Sequence, residues 1–175
     1  MTDLAKKTTR PVKIGILLAL LTISLGFSIG IIFGGAEEII KDVLKSNAEA
    51  VFDTVYNNDI DSMRSVLNMS GGLFKMSHIH ANGLGIVSLV LIIIMMLFCP
   101  GGKLTDVASI CLGAGALGYS SFWMFAGMKA PGLGSTHEAT ESLSLIATTS
   151  AGLLAVGLFL TFVLFVTAVF VKKNE

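Results

Sequence analysis

Polar residues in this chain gather in a few short stretches, and the positions between them are almost continuously apolar. Four of the apolar runs approach or exceed the roughly 20 residues a helix needs to cross a hydrocarbon core: Ile14–Gly34, Ala81–Phe98, Leu104–Met128 and Leu143–Val171. Lipid offers no water to an exposed peptide group, so runs of this length must satisfy their N–H and C=O groups internally, as helices. The expected fold is an all-α membrane protein, a four-transmembrane-helix antiparallel bundle. Its expected organisation is a tail over 1–13 and a first span over 14–34. An outer-side segment over 35–77 leads to a second span over 78–98. A turn at 99–103, a third span over 104–128 and a loop at 129–135 follow. The fourth helix covers 136–171, its first turns outside the membrane, and a tail of 172–175 ends the chain.

The segment between the first two spans has a different pattern. Ile39, Ile40, Val43, Leu44, Ala48, Val51, Phe52, Val55 and Tyr56 recur at helical spacing, with Glu38, Lys41, Asp42, Lys45 and Glu49 on the other face. Asp59 is placed to cap a second, shorter helix through Leu67, which Gly71-Gly72 would end. A small amphipathic helical hairpin on the outer side is therefore expected. It is too small to bury a core alone and must rest on the bundle, the membrane surface or a partner. Cys99-Pro100-Gly101-Gly102 reads as a helix stop between the second and third spans. Ser135-x-x-Glu138 has the spacing of a capping box at the start of the fourth helix.

Charge orients the spans. Lys6, Lys7, Arg10 and Lys13 precede the first, Lys103 lies in the 99–103 turn, and Lys172 and Lys173 follow the fourth. The opposite side carries five basic residues against nine acids, Glu37 through Glu141. By the positive-inside rule both termini are expected in the cytoplasm, in a prokaryotic inner membrane. The first apolar run is longer than a signal-peptide core and is read as a retained span. With only 14% charged residues and a net charge of zero, the chain has no basic footprint for nucleic acid. The expected surroundings are the lipid bilayer and other membrane subunits or further copies of the chain. Cys99 and Cys111 have no metal-binding spacing and read as buried thiols.

Glycines suggest how the spans pack. Gly26, Gly30 and Gly34 make two successive G-x-x-x-G steps on one face of the first span, a surface for another helix. Gly113, Gly115 and Gly118 spell G-x-G-x-x-G. The dinucleotide fingerprint needs a strand before it, however, so within an apolar span this motif reads as a close-packing face.

Histidines are the one group that suggests chemistry. His78, His80 and His137 all fall on the outer side. His137 and Glu141, four apart, share a helix face, whereas His78 and His80 diverge by about 200° if both are helical. The leading expectation is a haem b or a transition metal ion held by His80 and His137, with His78 as alternate ligand and Glu141 as ligand or hydrogen-bond acceptor. Phe122, Trp123 and Gly83 would pack the macrocycle. Such a subunit would serve electron transfer or sensing in a larger complex. The competing expectation is a cofactor-free structural or assembly subunit, docked through the glycine face and the outer hairpin. No carboxylate or base occupies the middle of a span, which disfavours an ion-translocating pathway. No nucleophile triad, H-E-x-x-H or phosphate loop is present, and enzymatic activity of the chain alone is not expected.

Overall fold

The computed structural model describes residues 8–171, and every regular element in it is helical. Lys6, Lys7, Lys172 and Lys173, on which the orientation argument draws, lie outside the described residues. In chain order the elements are α1 (Arg10–Gly35), α2 (Glu37–Glu49), α3 (Ile60–Phe98), α4 (Lys103–Leu133), α5 (Thr136–Glu141) and α6 (Ser144–Val166). A π-helical turn, Thr167–Val171, continues α6. Four helices are long and apolar enough to cross a membrane: α1, α3, α4, and α6 with its π-turn.

α4 is the centre of the packing: 50% of its apolar stretch is buried, against 22% for α1, 28% for α3 and 11% for α6, and it meets all three of the others. Small residues set the register. Gly26 lies against Asn82 and Gly30 against His78, while Gly85 lies against Ile23, so α1 and α3 run antiparallel. Gly127 meets Phe74, and Ser88 Oγ donates to the Leu112 carbonyl (3.2 Å), so α3 and α4 run antiparallel. Gly115 faces Leu154 and Gly157 faces Leu112, which gives the same sense to α4 and α6. Ser77 Oγ donates to the Ser120 carbonyl (2.8 Å), a further polar tie between α3 and α4. Such bonds are useful where the lipid cannot drive helix association by itself.

Two apolar clusters lie at opposite ends of this packing. One, at the end carrying the 99–103 turn, joins Val12, Ile92, Met95, Cys99, Ala108 and Leu112. There Thr9 caps α1, its hydroxyl accepting from Val12 N–H, and donates to the Asp106 carboxylate in the first turn of α4. The other cluster, Ala48, Tyr56, Val66, Ala130 and Ala139, fastens α2 and the turns after it to α3, α4 and α5.

Four boundaries differ from the sequence reading. The helical period expected through Tyr56 gives way to turns after Glu49. Consecutive left-handed residues, Asn57 (φ 51°) and Asn58 (φ 61°), then reverse the chain; asparagine tolerates that conformation better than most residues. Asp59 caps the next helix as expected, accepting from Asp61 and Ser62 N–H (2.9 and 3.3 Å). That helix does not stop at Gly71-Gly72. α3 continues for 39 residues, about 58 Å at 1.5 Å per residue, nearly twice the hydrocarbon thickness. Each glycine costs a helix roughly 1 kcal/mol, and burial of Val66, Ser70 and Phe74 on either side of the pair offsets it.

α4 likewise runs through the expected 129–135 loop, with Pro131 inside its last turn. It ends at Gly134, whose left-handed φ of 69° lets the Gly134 and Ser135 N–H groups both reach the Ala130 carbonyl. Ser135 then caps α5, accepting from Glu138 N–H (3.2 Å). The expected single helix over 136–171 is divided: a turn at Ser142-Leu143 separates α5 from α6.

Candidate functional site

α3 positions two of the three histidines, and helical geometry sends them to different neighbours. His78 faces α1. Its Nδ1 lies 2.8 Å from the Gly26 carbonyl, and because a carbonyl only accepts, Nδ1 is the donor. Asn82, one turn on, donates from its side-chain amide to the His78 carbonyl (3.0 Å). Gly26 and Gly30 make room for these two side chains: a methyl added at Gly30 would fall 2.6 Å from His78 Cε1, and one at Gly26 would fall 2.8 Å from Asn82 Cγ. The glycine face of α1 is thus filled within the chain at its first two steps, and only Gly34 has open space beside it.

His80 faces α4. Its Nδ1 donates to the Met76 carbonyl (2.7 Å) one turn back in its own helix. The ring stacks on Trp123 (centroids 5.8 Å, 19° between planes) and meets Tyr119 edge-on at 5.3 Å. Phe122 packs edge-to-face on Trp123 at 4.9 Å, and Trp123 Nε1 is a buried donor with no acceptor among the described residues. Gly83, expected to adjoin the same surface, has nothing within 4 Å of an added methyl.

His137 is elsewhere. It is exposed on α5, as is Glu141. Its neighbour Thr136 touches Met69 Sδ at 4.0 Å, and Met69 precedes His80 by eleven residues of continuous helix, about 16 Å. Two imidazoles bound to one ion would bring ring nitrogens to about 4 Å. The structure sets His80 and His137 on different levels and turns His78 away from both. Among the described residues no group of three or more His, Cys, Asp or Glu side chains is arranged to hold a metal ion. Gly113, Gly115 and Gly118 face helices of the same chain, Gly113 against Gly15 and Leu18 of α1, Gly115 and Gly118 against Ser150 of α6.

Lys75, one of the five basic residues of the expected outer side, is not among the expected site residues. Lys75, His78 and Asn82 recur at i, i+3 and i+7, a single helix face, and that stripe looks toward α1. The pattern becomes legible once α3 is continuous through Gly71-Gly72. Beside it, between α3 and the α1–α2 corner, two cavities of about 390 and 330 Å³ share Phe33, Glu37 and Lys75 in their walls. On α2, Lys41 pairs with Glu38 (3.0 Å) and Glu37 (3.6 Å), and Lys45 pairs with Glu49 (3.5 Å). The Glu38 hydrogen bond, with the Glu37 charge, raises the Lys41 pKa above the usual lysine value. No protein-family model, no curated protein and no solved structure matches this chain.

Proposed function

We propose that the chain is a cofactor-free structural subunit of a membrane assembly, an antiparallel four-span bundle with both termini on the cytoplasmic side. The observation that carries this reading is what the imidazoles of α3 do. His78 ties α3 to α1 through the Gly26 carbonyl, and His80 stacks on Trp123 of α4. Each ring packs between two helices of the chain, so both imidazoles have a structural part in the bundle. The exposed flank of α6, with Phe159 and Phe162 both 66% exposed, is the surface on which other subunits or further copies would sit.

Two measurements on protein extracted from its own membrane in a mild detergent test the proposal. An absorbance spectrum without a Soret band, elemental analysis without stoichiometric metal, and a native mass above that of one chain are the expected results. A Soret band or one bound metal per chain would restore the haem b or metal-ion reading at His80. A single chain with no companion would remove the assembly role.

A further inference from the structure

We propose that the groove between α3 and the α1–α2 corner is a binding site for one anionic glycerophospholipid, its phosphate on Lys75 and an acyl chain along the apolar wall. Level, shape and charge each contribute to this assignment.

The first span fixes the level. Counting roughly 20 residues of hydrocarbon from Ile14, the first apolar residue after Lys13, reaches Phe33. The contact of Gly30 with His78 and of the Phe33 ring with Phe74 puts Lys75 level with Phe33, at the depth where phosphates replace acyl chains. A lysine there extends toward headgroups without leaving the helix.

The shape is that of an amphiphile's site. The larger cavity, about 390 Å³, is walled by Ile40 and Leu44 from α2 and Leu67 from α3, with Phe33 toward the membrane. Gly71 and Gly72 form part of its α3 side, and a methyl on either would meet nothing within 4 Å. The smaller cavity continues to Gly30 and His78.

Charge selects an anion. Lys41 is shared between Glu38 and Glu37, and Lys45 pairs with Glu49. Lys75 lines both cavities and forms no ion pair among the described residues, so its ammonium stands without a carboxylate partner where the two cavities meet. A free anion would satisfy that charge but leave the apolar wall empty, and a neutral lipid the reverse.

Native mass spectrometry of the full chain in a non-ionic detergent, with dioleoylphosphatidylglycerol, dioleoylphosphatidylcholine or inorganic phosphate added, tests the proposal. One phosphatidylglycerol should be retained about fivefold better than phosphatidylcholine, the factor expected of one basic residue at a membrane surface. Inorganic phosphate should not displace it. Lys75→Gln should bring phosphatidylglycerol down to the phosphatidylcholine level. Gly72→Leu, which favours the helix and fills the groove, should abolish retention of both. Equal retention of the two lipids, displacement by phosphate, or lipid binding unchanged in both variants would overturn it. The outcome is independent of the assembly role, since a chain with no companion subunit would still hold the lipid.

Discussion

At the scale of the residue, a long-range hydrogen bond ties the turn between α2 and α3 to the end of α4. Tyr56 is buried at the turn between α2 and α3, and its hydroxyl donates to the Pro131 carbonyl at 2.6 Å. Pro131 is in the last turn of α4, where carbonyls have no partner within the helix, and it too is buried. Tyr56→Phe keeps the ring and removes the donor, so that the carbonyl stays buried and unpaired. The expected cost is about 1–3 kcal/mol, read as a lower unfolding midpoint in detergent with the apolar packing intact. An unchanged midpoint would mean that water reaches the carbonyl. Burial also raises the Tyr56 pKa above the ordinary tyrosine value, favouring the neutral form in the folded state. Other residues show how much of the candidate site the sequence carries. The divergence of His78 and His80 follows from a separation of two on any helix. What each ring meets does not follow, because Gly26, Asn82 and Trp123 become neighbours only through packing between helices distant in sequence. The separation of His80 from His137 has the same origin: topology assigns both to one side, but their depth depends on how far α3 rises before meeting α5.

At the scale of the element, local rules located helix starts better than helix ends. Asp59 and Ser135 cap helices as expected, because a cap needs only a side-chain oxygen and the N–H groups two or three residues ahead, and Thr9, not anticipated from the sequence, caps α1 in the same way. Ends depend on what the next turn can bury. Gly71-Gly72 lacks stop character here since Phe74 and Ser77 beyond it pack into α4, and Pro131 is carried in α4 because its turn packs under Tyr56. The Asp59 cap yields a pH prediction. The Ser62 hydroxyl (2.7 Å), then the Ser62 and Asp61 N–H groups, hold the Asp59 carboxyl below its ordinary value of 3.8. A depressed carboxyl contributes its stabilisation fully above the unfolded pKa and loses it as pH falls through the folded one. Amide exchange at residues 60–64 is therefore expected to be pH-independent in its protection down to about pH 4, after correction for intrinsic rates. Below that, protection should fall. In Asp59→Asn, whose amide oxygen caps without titrating, the acid-side loss should vanish; if it persists, another group opens the start of α3.

At the scale of the whole molecule, the reading turns on an even number of crossings. Neighbouring helices in sequence run antiparallel, as Gly26 with Asn82, Gly127 with Phe74 and Gly157 with Leu112 establish. In the proposed topology four alternating spans return the chain to the side from which it began. The segment of α2 and the following turns is joined through Tyr56 and Val66 to the other end of the bundle. In a background with Cys99 and Cys111 replaced by alanine, Thr2→Cys and Asn174→Cys should be protected from a membrane-impermeant maleimide added outside intact cells. Asn47→Cys, on the exposed side of α2, should react from outside at once. Permeabilisation should expose both tails together. If one tail labels alongside Asn47 and the other does not, one of the four helices fails to cross. The depth shared by Phe33 and Lys75, on which a lipid phosphate at the outer surface depends, would then be lost as well, because that depth is counted from the start of the first span, which only a full set of crossings places at the inner surface.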